Sequence, residues 1–180
     1  DVLSDKCVGI IGLGSGGGAV TVALAQSGVM NFQVVDHDRL EVGNIARHVA
    51  GISQVGRLKV NVIKDLIHEK NPYAEVETLA ETVCRDTAES IRQIVRRADL
   101  VICATDSRSS KKIVNRLCIQ EKTALIIGGA FRRAYGGQIL RVRPGESLCF
   151  QCFLQSLPQQ ARDQEITSIE QSEGLAYTDR

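Results

Sequence analysis

A strand-sized apolar run that turns through Gly12-Leu-Gly-Ser-Gly-Gly17 into a helix-patterned segment leaves this chain few folds to choose from. Val8 to Ile11 has the length of a strand buried on both faces. Gly12, Gly14 and Gly17 then satisfy G-x-G-x-x-G. The first glycine permits a tight turn, the second lets backbone approach a phosphate, and the third lets the helix pack closely on the strand. Ala19 to Val29 carries apolar side chains in a helical pattern, with Gly28 near its end, where glycine suits a C-cap. A second apolar run, Phe32 to Val35, ends in Asp36, at the distance of roughly 20 residues where an acid accepts hydrogen bonds from a ribose. This order of elements predicts a nucleotide site.

The same alternation continues along the chain. A helix is expected from a cap near Ser53, with Val60, Ile63, Leu66 and Ile67 on one face, until Asn71-Pro72 stops it. Glu75 to Leu79 alternates like a strand with one polar face, and Asp86-Thr-Ala-Glu89 resembles a capping box opening a helix through Ile91, Ile94 and Val95. Leu100 to Ala104 reads as a buried strand, followed by a helix with Ile113, Val114, Leu117 and Cys118 as its stripe. Ala124 to Ile127 reads as a strand ending in Gly128-Gly129, and Gly137 to Val142 as another before the Pro144-Gly145 turn. The expected fold is α/β: a Rossmann-like, doubly wound, mostly parallel sheet with helices on both faces. Residues 1–153 form one domain in this reading. Residues 154–180 are a polar crossover segment, and a longer parent chain completes the sheet.

Composition narrows the classes. Of 180 residues, 43% are hydrophobic and 24% charged, which describes a folded globular domain rather than a disordered chain. A formal net charge of +1 gives no general drive toward nucleic acid or an anionic membrane, so any anion site is local. No apolar stretch approaches the roughly 18 residues of a membrane span, and the first residues lack a signal-peptide pattern. Beginning at Asp1 without Met, the sequence reads as a processed or excised piece. Cys7, Cys103 and Cys118 lie in apolar-patterned segments and Cys84 is isolated, which suits reduced thiols and a cytoplasmic setting.

Ligands of doubly wound sheets bind at the carboxyl ends of the strands. Those ends are Gly12 to Gly17, Asp36 and Asp38, Thr105 and Asp106, and Gly128 and Gly129. Two acids after one strand and one after another can surround a nucleotide and a hydrated magnesium ion, which commonly takes only one or two protein ligands. Asn44, Arg47, Arg57 and Lys59 follow Asp38, and cations in that number suit a triphosphate better than a redox dinucleotide.

Together these motifs resemble the ubiquitin-activating-type superfamily of ThiF and molybdopterin-synthase adenylyltransferases. The likeness runs from Lys6 to Phe153. It rests on Gly12-Leu-Gly-Ser-Gly-Gly17, Asp36-His-Asp38, Asn44-Ile-Ala-Arg47, Gly56-Arg-Leu-Lys59, Asn71-Pro72, Ala104-Thr-Asp106, Gly136-Gly-Gln138 and Cys149-Phe-Gln-Cys152. It implies ATP-dependent adenylation of the C-terminal glycine carboxylate of a ubiquitin-like or sulfur-carrier protein, with release of pyrophosphate. By the same resemblance Asp36 binds the ribose, and Asn44, Arg47 and Lys59 hold phosphates and stabilise the departing charge. Asp106 supports magnesium and the reacting α-phosphate. Cys149 and Cys152 have the spacing of half a zinc site, and a homodimer or pseudo-dimer is implied.

The chain departs from that pattern in four ways. Ser107 stands where the family often has Asn, and Gly16 and Gly18 replace bulkier residues, which is expected to loosen the loop. A second C-x-x-C and any cysteine beyond Cys152 are missing, so the resemblance supports adenylation rather than a later transfer step. Plainer roles stand beside these: Asp106 as a helix N-cap, Asp38 as a loop-orienting acid, and Arg47, Lys59 and the Arg132-Arg133 pair as solvated cations. His37, His48 and His68 read as surface or packing residues. The competing functions are an NAD-dependent oxidoreductase, supported by the glycine motif and Asp36, and a degenerate non-catalytic module that binds a nucleotide or a partner.

Overall fold

The computed structural model describes residues 2–130 and 136–157. Strand β1 is Cys7–Ile11, helix α1 Ser15–Gln26 and β2 Asn31–Val35. Helix α2 (Lys59–Lys70) leads to β3 (Glu75–Leu79), and α3 (Ala88–Arg97) to β4 (Leu100–Cys103). Helix α4 (Arg108–Glu121) precedes β5 (Ala124–Ala130), β6 (Gly137–Val142) and α5 (Phe150–Ser156). The six strands form one sheet in the order β3-β2-β1-β4-β5-β6. The first five are parallel and β6 runs antiparallel on the edge beside β5. This is the mostly parallel, doubly wound sheet expected from the alternation of elements.

Register brings the site together. Ile11 pairs with Val35 of β2 and with Cys103 of β4, so the three strands end level. The ladder extends one step further, with Gly12 N–H donating to Val35 O and Ala104 N–H to Ile11 O, both at 2.8 Å. The chain order reverses between β1 and β4, and helices cannot fill the crevice that opens there.

Alternate residues of each strand face two separate cores. Val8, Ile10, Phe32 and Val34 pack with Ile63 and Ile67 of α2 and Ala25 of α1. Ile11, Val35, Val101 and Cys103 pack with Ile91 and Val95 of α3, Val114 and Leu117 of α4, and Phe150 of α5. Helices therefore cover both faces. No helix among the described residues is long and apolar enough to cross a membrane.

Four local expectations change. Helix α2 begins at Lys59 rather than near Ser53: Ile52–Gln54 forms only a 3₁₀ turn, Gly56 follows at φ +88°, and Leu58 is held extended by a bridge to Arg39. No capping box opens α3, because Thr87 is the N-cap and its Oγ1 instead accepts from Cys84 N–H and donates to Thr82 O. Strand β5 continues through Gly128 and Gly129, which pair with Ile139 and Gln138 of β6. Helix α5 runs past Phe153 to Ser156, buries Leu154, and is tied to α4 by Phe150 N–H donating to Asn115 Oδ1 at 2.9 Å. The rest of the polar tail lies outside the described residues.

Helices α3 and α4 are clamped by Glu121, which accepts from Arg92 Nη1 at 2.7 Å and Arg96 Nε at 2.9 Å. Hydrogen bonds from Arg96 and then Arg92 hold the Glu121 carboxyl below its ordinary value of 4.5. Its stabilisation is therefore complete above that value and is lost as pH falls through the depressed folded-state value. Glu121→Gln should melt below the parent by a constant margin between about pH 7 and 5, and the margin should close in stronger acid. A margin that persists at the acid extreme would show that the clamp is not ionic.

Candidate functional site

The glycine turn is shaped by contact. Gly12 has φ +91°, and a Cβ there would stand 2.8 Å from Thr105 N. A Cβ on Gly17 would stand 1.9 Å from Gly12 O. These two positions therefore press the turn against the end of β4. Gly14 and Gly16 instead face open space. Gly14 is the N-cap of α1, and no side chain caps the helix. The first intrahelical bond shown is Gly18 N–H to Gly14 O at 2.8 Å, so the preceding N–H groups of the first turn are left for an anion. Gly18 does not loosen the loop as expected: a Cβ there would meet Val49 at 3.2 Å and Ile63 at 3.3 Å, so its smallness serves close packing.

Leu13, inside the turn, is held from both sides. Its N–H donates to Asp36 Oδ2 at 2.7 Å, and the other carboxylate oxygen of Asp36 accepts from Asp38 N–H at 2.8 Å. Its carbonyl lies 2.8 Å from His48 Nε2. Ala50 N–H donates to His48 Nδ1 at 3.1 Å, which leaves the proton on Nε2 to bond Leu13 O. His48 is thus a clamp on the glycine turn and not a simple packing residue. Its place beside the Asn44 and Arg47 motif was the signal available in the sequence.

Beyond Asp36, the structure joins Asp38 to Lys59. Lys59 Nζ lies 2.7 Å from Asp38 Oδ2 and the lysine is 8% exposed, while His37 Nε2 lies 3.1 Å from the other oxygen. Asn44 Oδ1 accepts from Glu41 N–H at 3.1 Å and so fixes the 3₁₀ turn Val42–Asn44. Arg47 is exposed, with Nη1 donating to Gly43 O at 2.8 Å. Arg57 turns to Asp65 of α2 at 2.7 Å and is not gathered with Lys59. Asp36, His37 and Asp38 offer metal-type ligand atoms within 4.8 Å of one another, but the two acids already hold backbone N–H groups and Lys59.

On the other side of the crevice, Asp106 is exposed and caps nothing. Ser107 is the N-cap of α4, with Oγ accepting from Ser110 N–H at 3.4 Å. Lys111, which the sequence reading passed over, is only 4% exposed. Its spacing from Val114 and Cys118 puts a charge on the apolar stripe of α4, and that was its sequence signal. Arg132 and Arg133 lie outside the described residues. The sulfurs of Cys149 and Cys152 are 3.5 Å apart at the start of α5, close to the roughly 3.8 Å between two thiolates on one tetrahedral zinc. No third ligand joins them among the described residues.

Fold and crevice define an α/β protein of the nucleotide-binding, Rossmann-like class. The chain belongs to the ThiF family, whose model matches residues 1–174. It is 30% identical over 152 residues to the sulfur carrier protein ThiS adenylyltransferase of Escherichia coli K12, covering 83% of this chain and 59% of that protein. It is 25% identical over 158 residues to ubiquitin-like modifier-activating enzyme 5 of Caenorhabditis elegans, covering 83% of this chain and 38% of the relative. Among solved structures, E. coli MccB with ATP superimposes with a TM-score of 0.72 at 25% identity, covering 89% of this chain and 46% of MccB. The chain thus spans less than two thirds of each of these proteins.

The glycines separate by role in a simple test. Gly17→Ala should lose at least about 2 kcal/mol of stability, because backbone and not a flexible side chain blocks the new methyl. Gly16→Ala, in open space within α1, should gain about 0.5–1 kcal/mol from helix propensity. Thermal melts of both variants check this, and equal melting temperatures would contradict it.

Proposed function

We propose that this chain is the ATP-binding adenylation domain, residues 1–153, of a protein that activates the C-terminal glycine carboxylate of a ubiquitin-like or sulfur-carrier protein. The observation that carries this reading is the pairing of two features across one crevice. An uncapped helix start, open above Gly14 and Gly16, faces an exposed acid that neither caps a helix nor joins an ion pair among the described residues. Gly12 rests against Thr105, the residue before Asp106, so the two features are neighbours. Membership of a family whose relatives are named adenylyltransferases supports the same chemistry.

In this mechanism the backbone around Gly12, Gly14 and Gly17 receives phosphate oxygens at the helix start. Asp36 accepts from the ribose hydroxyls with the lone pairs that Leu13 and Asp38 leave free. Asn44, Arg47 and Lys59 line the phosphate side, and Lys59 shares its charge between Asp38 and the leaving pyrophosphate. A carboxylate oxygen of the carrier attacks the α-phosphorus, the bond to pyrophosphate breaks, and an acyl-adenylate remains. No proton moves, so orientation and electrostatics supply the rate. Asp106, an exposed carboxylate with free oxygens, fits magnesium, which when bound supplies positive charge on the phosphates and needs few protein ligands.

Cys149 and Cys152 are half of a structural zinc site in this reading, and six free thiols suit a cytoplasmic setting. Exposed Val42, Val49 and Ile52, on the segment after Asp38, are the apolar surface that a second subunit of a homodimer or pseudo-dimer would cover.

Calorimetry should find ATP with magnesium bound more tightly than NAD, and the reverse order would favour the oxidoreductase. Asp36→Ala should weaken ATP by about 1.5–3 kcal/mol and also lower the melting temperature, since the glycine turn loses its anchor. Asp106→Asn should cut carrier-driven pyrophosphate exchange by at least about a hundredfold. Its melting temperature should stay within a few degrees, because Ser107 supplies the cap. Normal exchange by Asp106→Asn would remove this acid from the chemistry.

A further inference from the structure

Lys111, among the described residues, is a charge beside Asp106 that the mechanism leaves unused. It sits one turn into α4, buried to 4% exposure. Its ammonium donates no hydrogen bond and forms no ion pair among the described residues. A buried ammonium without a partner is costly, and a bound anion would supply the counter-charge that the protein withholds. Burial pulls the Lys111 pKa below the ordinary lysine value, and the nearby Cys103 and Asp106 only partly restore it.

The surroundings point to where that anion arrives. A Cβ on Gly129 of β5 would stand 3.0 Å from Lys111 Nζ. The amine thus lies against the β5 backbone, in the space that a side chain at this position would take. Gly129 has ordinary strand pairing with Gln138, so no turn or left-handed backbone requires glycine at this position. Room for the amine is therefore the remaining physical reason for its smallness.

Position separates this anion from the nucleotide phosphates. The glycine turn ends β1, Asp106 follows β4, and Gly129 lies on β5, the next strand out. With strands about 4.8 Å apart, the amine lies about 10 Å across the sheet from the phosphate cradle. An anion meeting Lys111 therefore lies on the β5 side of Asp106, away from the glycine turn.

We propose that Lys111, buried and unpartnered beside Gly129, binds the carboxylate of the acyl substrate and aims it at the α-phosphate. This rests on the adenylation reading above and assigns the substrate's reacting group a residue of its own. An ammonium–carboxylate contact lowers repulsion between two anions that must approach within bonding distance. It also explains why α4 keeps a charge on its buried stripe.

The test uses the full chain with magnesium and an ATP analogue carrying a methylene in place of the α,β-bridging oxygen. Two peptides ending in Gly-Gly are then titrated, one with a free C-terminal carboxylate and one with a carboxamide. The parent should bind the acid at least about tenfold more tightly than the amide, as one charge-assisted contact requires. Lys111→Gln should erase that preference while binding the analogue within twofold of the parent, and Lys111→Arg should restore much of it. Gly129→Ala, which pushes the amine from its place and keeps the charge, should behave like Lys111→Gln, and it carries the test if Lys111→Gln does not fold. An acid preference that survives both variants overturns the proposal, as does equal weakening of the analogue and the peptide. A parent that prefers neither peptide overturns it too. If the parent does not bind the analogue at all, the adenylation reading itself fails, an outcome distinct from the others.

Discussion

The carboxylate of Asp36 is the constraint on which the site depends. One oxygen takes the N–H of Leu13 and the other that of Asp38, so a single nearly buried side chain holds the turn after β1 to the turn after β2. Hydrogen bonds to an ionised acceptor are roughly twice as strong as neutral ones. His48 completes the grip by holding the Leu13 carbonyl. Between these two clamps the glycine turn keeps its shape, although three consecutive glycines, Gly16 to Gly18, occupy the first turns of α1 where they favour the helix least.

Charge in the crevice is arranged by distance across the sheet. Over β2, Asp38 neutralises Lys59 and keeps its ammonium in place before any phosphate arrives. Over β4, Asp106 stands exposed, freed from capping by Ser107. Over β5, Lys111 is buried with its amine against Gly129. A doubly wound sheet spreads these groups along its carboxyl edge, with the Asp38–Lys59 pair two strands from Asp106 and Lys111 one strand beyond it. In the proposed reaction two anions meet, and this spacing would give each its own counter-charge.

The antiparallel edge bears on the same site. Pairing of Gly128 and Gly129 with β6 converts what reads as a strand end into a continuous ladder, which fixes the β5 backbone beside Lys111. Asn115, three residues before Cys118 on α4, reaches the start of α5 and anchors the two-cysteine segment to the helix that carries Lys111. The cysteine pair and the crevice therefore share one rigid support.

Much of this protein was legible in the sequence because the signals are local. Apolar runs of strand length, the glycine spacing and the acid after the second run determine β1, α1, β2 and the position of Asp36, since each depends on a few neighbouring residues and the sterics of a tight turn. The series Asp36, Asp38, Asn44, Arg47, Lys59 and Asp106 was legible as a pattern of residue types. Local signals failed where competition decided: Ser107 displaced Asp106 as the cap, Thr87 turned its hydroxyl toward Cys84 and Thr82, and Gly56 with the Arg39 bridge delayed α2 to Lys59. Partners distant in sequence were beyond reach. Whether Lys59 meets Asp38, His48 meets Leu13, or Lys111 is left beside Gly129 is set by register and by which face of each helix the core takes. Only the folded sheet brings those groups within hydrogen-bonding distance or buries a charge, and so only tertiary structure decided them.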